Sequence, residues 1–168
     1  HNSDVTNHPH REVLCLYYDT AIRYFPIFQQ KEHTHLLSRV LQAITGARGL
    51  QHDHPRVRSR SCYLLLRLVK SVASLLRPFV ETAVSGIQGL LSNPNLELRP
   101  DDTLYLFETM GLLLGKTGLE AVDQQLYLTQ LMTPHVRSIE TILATPGLAR
   151  EADHYGELLS GSIAAMAH

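Results

Sequence analysis

The residues to test first for chemistry are histidines, ten in a chain of 168. Six stand in His-x-His pairs: His8/His10, His33/His35 and His52/His54. Imidazole binds zinc, but a structural zinc site needs four converging ligands, and no Cys-x-x-Cys accompanies these pairs. Each pair falls at a helix start or in a connecting loop, which predicts solvated turn histidines. His52-Asp53-His54 is the best remaining metal candidate. Cys15 and Cys62 sit inside apolar helical stripes, with no recognisable base to activate either thiol. Packing in the core is expected for both. Gly111-Leu112-Leu113-Leu114-Gly115-Lys116-Thr117 imitates a phosphate-binding loop. That loop needs four residues between its glycines and opens a helix, whereas this run has three and closes one. A helix end is expected, with Gly115 or Gly118 at the stop and Lys116 at the negative end of the dipole. No Gly-x-Ser-x-Gly elbow occurs. Asp101 and Asp102 suit a helix N-terminus. No catalytic residue, metal or cofactor is assigned, and an enzyme is not expected.

Binding chemistry is better represented. Residues 1–46 hold four basic and four acidic side chains, and residues 47–91 hold seven and two. Residues 92–145 hold three and seven, and residues 146–168 one and three. A basic island of net +5 therefore lies within a chain of net charge −1. On a helix at about 100° per residue, Val57, Leu64, Leu65, Leu68 and Val72 form one stripe. Arg56, Arg60, Arg67 and Lys70 then share the flank beside it. Such an array suits a phosphate backbone, bound through charge and counterion release. The competing expectation is a solvated face, or salt links to the acidic segment 101–145. Arg58 falls on a different side and reads as a structural arginine between stacked repeats. Few aromatic residues accompany the island, so base stacking is not expected.

These residues need elements to carry them. The length suits one domain, or two small ones, and a core can be buried without staples. Apolar residues make up 44% and charged residues 18%, too apolar for a disordered tail. Two cysteines make no disulfide framework and fit a reducing compartment. No uncharged apolar run reaches the ~18 residues of a membrane span, and no secretory signal opens the chain. With no initiator Met, the chain is expected to be a piece of something longer.

The apolar pattern is helical almost throughout. Val13, Tyr17, Ala21 and Tyr24 recur at helical spacing, as do Leu36, Leu37, Val40, Leu41 and Ile44. So do Val80, Ala83, Val84, Ile87, Leu90 and Leu91, then Leu104, Phe107, Leu112 and Leu114, then Leu128, Leu131, Ile139, Ile142 and Leu143. No strand is expected. Pro9, Pro55, Pro100 and Pro146 are separated by 46, 45 and 46 residues, each ahead of a helical pattern. Asn7-His8-Pro9 matches Asp53-His54-Pro55, aligning Tyr17 with Tyr63. Helices pair as 9–29 with 33–46, 55–76 with 78–91 and 101–116 with 120–144. Pro78 starts its helix, and Pro134 kinks or splits the last. Residues 148–168 read as a first helix without a partner. Helical hairpins at this period are the signature of HEAT or armadillo arrays. The fold class is therefore all-α, a solenoid of about three and a half hairpins with repeats near 8–46, 54–91, 100–145 and 146–168.

The run from Gly49 to Leu64, which contains His54-Pro55-Arg56-Val57-Arg58-Ser59-Arg60, then Val69-Lys70-Ser71, Pro78-Phe79-Val80-Glu81 and Ile87-Gln88, carries a resemblance. Tyr18-Asp19-Thr20, Arg23-Tyr24, Phe107-Glu108-Thr109 and Leu131-Met132-Thr133-Pro134 follow in the same order. Together they resemble the middle of the tRNA exportins (exportin-T) of the importin-β, or karyopherin, family. The likeness covers roughly residues 4–145.

The resemblance implies a HEAT superhelix that binds tRNA together with Ran-GTP in the nucleus and releases both in the cytoplasm. It implies contact with nuclear pore proteins, shuttling between nucleus and cytoplasm, and no membrane. GTP hydrolysis would be Ran's. Most Ran contacts belong to N-terminal repeats, so no Ran-binding residue is carried over. Arg56, Arg60, Arg67 and Lys70 are nominated for RNA on charge geometry alone. A karyopherin with a protein cargo and a general HEAT scaffold are the alternatives.

Overall fold

The computed structural model describes residues 8, 10–30, 33–91, 93, 96, 98–144, 156–157, 159–161, 163 and 167. Pro9 and Pro146 lie outside them, as do most of residues 145–168. Among the described residues the chain is all-α, with no strand. The α-helices are α1 (Arg11–Arg23), α2 (Thr34–Thr45), α3 (Pro55–Val72), α4 (Val80–Leu91), α5 (Pro100–Lys116) and α6 (Ala121–Ala144). None is long and apolar enough to cross a membrane.

The chain divides into two compact units, residues 1–118 and 119–168. In the first, α3 packs between α1 and α5, while α2 packs on α4. α2 also meets α1 and α3, and α4 meets α5. This is the helical stack of an α-solenoid, with first helices α1, α3 and α5 backed by α2 and α4. In the second unit, α6 runs unbroken through Pro134, which therefore does not split it. Leu131 and Ile142 are its buried residues, while Leu128 and Leu143 of the expected stripe are exposed.

Local chemistry explains where the helices begin and stop. Pro55 and Pro100 each occupy the first turn, where a missing N–H costs nothing. α1 stops at Arg23 because Pro26 cannot continue it; a 3-10 turn, Phe25–Gln29, follows. Pro78 sits in another 3-10 turn, Arg77–Phe79, so α4 starts at Val80, just after the proline. α5 ends with Lys116 in its last turn and Gly118 at φ 70°, which identifies Gly118 as the stop.

The core runs through α3. Val57, Cys62, Leu64, Leu65, Leu66, Leu68, Val69 and Val72 are all buried, because neighbours cover α3 on several sides. Each large aliphatic side chain so buried contributes roughly 1.5–3 kcal/mol. On α1 the core stripe is Leu14, Tyr18 and Ile22, one residue on from the expected Val13, Tyr17 and Ala21. Both stripes have helical spacing, and packing selects between them. The caps correct the repeat register as well. His10 caps α1 and His54 caps α3, so the two helices align 44 residues apart. Tyr18 then falls level with Cys62, and Phe107 of α5 takes the same place when Pro55 is matched to Pro100. All three are buried.

Candidate nucleic-acid interface

The helix starts give the histidines their work. The Nδ1 of His10 accepts the Glu12 N–H at 3.3 Å, and that of His54 accepts the Arg56 N–H at 3.2 Å. One step upstream, His8 Nδ1 accepts the His10 N–H at 3.1 Å, and His52 Nδ1 accepts the His54 N–H at 2.9 Å. The His-x-His pairs at these two starts are therefore two-step caps, each satisfying backbone donors that a helix start leaves open. Among the described residues no group of three or more His, Cys, Asp or Glu could hold a metal ion.

The loop 46–54 sets where α3 begins. Tyr18 Oη donates to the carbonyls of Ala43 at 3.1 Å and Arg48 at 2.8 Å. Arg58, buried near the start of α3, donates from Nη1 to the carbonyls of His52 at 2.9 Å and Asp53 at 2.8 Å. The sequence reads Arg58 as a structural arginine between stacked repeats; these two carbonyls belong instead to its own entry loop.

Burial pushes the His52 pKa below its ordinary 6.5, outweighing the nearby Asp53 carboxylate. Burial also lowers that of His135 on α6. The folded chain thus binds fewer protons than the unfolded chain as pH falls through 6.5. The stabilisation is complete above the ordinary value and is lost as pH falls through the depressed one. At His52, protonation also places an N–H against the His54 N–H. Melting temperature should therefore decline as pH falls below about 6.5, and His52→Gln should flatten part of that decline. An unchanged slope in that variant would remove His52 from the account.

Arg56, Arg60, Arg67 and Lys70 all stand on the solvent flank of α3, beside the core stripe. Three of them meet carboxylates of neighbouring first helices. Arg56 Nη1 lies 2.7 Å from Glu12 Oε1, and Arg60 Nη2 lies 2.6 Å from Asp19 Oδ1, both on α1. Lys70 Nζ lies 2.6 Å from Glu108 Oε1 on α5. Arg67 points along its own helix, with Nη1 3.5 Å from Tyr63 Oη. The Arg60 and Arg67 guanidinium carbons lie 5.3 and 5.9 Å from the Tyr63 ring centre, and Tyr105 meets that ring edge-on at 5.7 Å. The salt links expected toward 101–145 thus occur for Lys70. The two arginines nearest the helix start turn to α1 instead.

Between α1, α3 and α5 lies a groove of about 710 Å³, lined by Glu12, Asp19, Arg56, Arg60, Tyr63 and Arg99 among others. Arg99 escaped the sequence reading because it belongs to an acidic segment. It stands at the start of α5 and donates from Nε and Nη2 to the Asp102 carboxylate, both at 3.2 Å, and also to the Ser59 hydroxyl. Ser59 Oγ donates to the same carboxylate at 2.8 Å, linking α3 to α5. Asp102 is thus more than a charge at a helix start.

Neither thiol is poised as a nucleophile. Burial pushes the Cys62 pKa up to about 12, with Asp102 adding to the effect, and raises that of Cys15 with help from Glu12.

Stacked first helices and a charged groove describe an α-solenoid with a polar cleft, and comparison with known proteins places it in a family. A family model described as Exportin-T matches residues 1–155. The chain belongs to the Exportin-T family. It is similar to Exportin-T of Homo sapiens, 31% identical over 163 residues, covering 93% of this chain and 17% of the human protein. Exportin-T of Arabidopsis thaliana is 32% identical over 153 residues, covering 87% and 15%. Exportin-T of Danio rerio is 32% identical over 146 residues, covering 83% and 15%. The chain thus spans about a sixth of the length of these Exportin-T relatives.

Proposed function

We propose that this chain is part of a nuclear export receptor that carries tRNA and takes it up together with Ran-GTP. The observation that carries the reading is the Exportin-T match over residues 1–155. In this reading the protein is a receptor and not an enzyme, and it shuttles between nucleus and cytoplasm past nuclear pore proteins. The boundaries near 8–46, 54–91, 100–145 and 146–168 belong to the same proposal.

The mechanism is binding linked to shape. A solenoid changes curvature through small adjustments at each stacked interface. If Ran-GTP and tRNA select the same curvature, each raises the affinity of the other by the same factor. This segment serves that mechanism as spacer and spring. Its exposed cations Arg56, Arg60, Arg67 and Lys70 are the proposed contacts to the RNA backbone, since structured RNA is recognised mainly by shape and phosphate. Among those cations, Arg67 is the one whose described contacts include no carboxylate.

The test is a fluorescence-anisotropy titration of labelled tRNA with the protein in its full natural length, with and without GTP-loaded Ran. Binding should tighten at least tenfold with Ran-GTP. A variant carrying Arg56→Glu, Arg60→Glu and Arg67→Glu should bind at least tenfold more weakly while keeping its helical circular dichroism. Affinity that ignores Ran-GTP would refute the export reading. Ran-dependent binding untouched by the substitutions would leave the receptor and remove this face from the RNA contact.

A further inference from the structure

The groove between α1, α3 and α5 brings together three guanidinium groups, Arg56 and Arg60 from α3 and Arg99 from the start of α5. Each already faces an oxygen anion. The carboxylates of Glu12, Asp19 and Asp102 stand where the oxygens of a bound anion would stand, at 2.7, 2.6 and 3.2 Å. The carboxylates are not equally held. The Asp102 side chain is only 4% exposed and is fixed by Ser59 and Arg99. Those of Glu12 and Asp19 are 41% and 29% exposed, and their arginine partners are 63% and 41% exposed. Exposed ion pairs of this kind are individually weak. A guanidinium also has five N–H donors, and the carboxylates occupy few of them.

We infer that this groove is a phosphate-binding site spanning three helical repeats, held closed by Glu12 and Asp19 of α1 until neighbouring phosphate groups displace them from Arg56 and Arg60. The closed groove sets three cations against three carboxylates and is neutral. With Glu12 and Asp19 displaced, three cations face Asp102 alone, and the start of α5 adds the positive end of its dipole. Arginine suits this exchange because its planar fork takes phosphate oxygens two at a time. The displaced pairs help tie α1 to α3. Phosphate capture therefore loosens the stack there, and whatever spreads α1 from α3 raises phosphate affinity. Arg67 and Lys70 do not line the groove, and Arg99 replaces them in the site.

The inference rests on the tRNA reading for its ligand, so two probes separate the two. With the full-length protein and saturating Ran-GTP, Glu12→Gln with Asp19→Asn should raise tRNA affinity about three- to tenfold. The same net charge change placed outside the groove, Glu81→Lys on α4, should leave it within twofold. The gain should vanish in a background of Arg56→Gln and Arg60→Gln. Arg99→Gln should weaken binding about threefold and lower the salt slope by about one. No gain from the α1 variant, or a gain that survives loss of the arginines, overturns the inference while leaving the receptor intact. Inorganic tripolyphosphate, titrated calorimetrically, distinguishes an RNA backbone from any other phosphate source. Saturable binding that needs Arg56, Arg60 and Arg99 keeps the site even if tRNA does not bind. If neither tRNA nor tripolyphosphate binds, both readings are overturned.

Discussion

Gly49→Ala should cost this chain about 3 kcal/mol of stability or more, the range of a severe overpacking error. A Cβ at residue 49 would sit 2.7 Å from Ile44 Cα and closer still to the Ile44 carbonyl group. Those atoms are backbone at the end of α2, and they cannot swing aside as a long side chain can. The loop is pinned from both ends. The Leu50 N–H donates to the Ile44 carbonyl at 2.7 Å, and the Leu50 side chain is fully buried. Gly89→Ala on α4 is the matched control, because nothing lies within 4 Å of a Cβ there. That change should be neutral or stabilise the helix by about 0.5–1 kcal/mol. Urea unfolding of both variants gives the comparison. Equal midpoints would mean that the 46–54 loop can move, and that close backbone approach does not hold it.

Arg58→Met should cost about 3 kcal/mol. The substitution keeps an unbranched apolar stem but withdraws both bonds from the His52 and Asp53 carbonyls. Bonds to a charged donor are worth roughly 1.5–3 kcal/mol each, and the deserted carbonyls keep part of their desolvation cost. Arg58→Lys should recover less than half, since one ammonium cannot reproduce the fixed guanidinium geometry. A loss below about 1 kcal/mol for the Met variant would make Arg58 a bystander. The effect should reach the groove too. The same loop carries His54, whose ring caps the helix that presents Arg56 and Arg60. The Met variant should therefore weaken anion binding even though Arg58 does not line the groove.

Much of the architecture was legible from spacing. Pro55 and Pro100 marked first turns because proline has no N–H to lose there. The stripe Val57, Leu64, Leu65, Leu68 and Val72 proved buried because a helix repeats every 3.6 residues whatever packs on it. The cationic flank of α3 followed from the same wheel. Where two apolar stripes lay side by side, as on α1, spacing was ambiguous by one residue. Tyr17 is as hydrophobic as Tyr18, and it is Tyr18 that is buried with its hydroxyl donating to the carbonyls of Ala43 and Arg48. Histidine caps escaped notice because the usual capping residues are Ser, Thr, Asp and Asn.

The sequence by itself determined the helical class, the first-turn prolines Pro55 and Pro100, and which flank of α3 carries charge. These depend on local geometry and on the period of a single helix. The tertiary structure decided what that charge meets. Glu12 reaches Arg56 across 44 residues and Asp19 reaches Arg60 across 41, because α1 packs beside α3 in one particular register. Arg99 joins them only because α5 lies on the other side. Ion pairs between stacked helices depend on distances of a few ångströms across an interface, and no periodicity within a helix encodes that register.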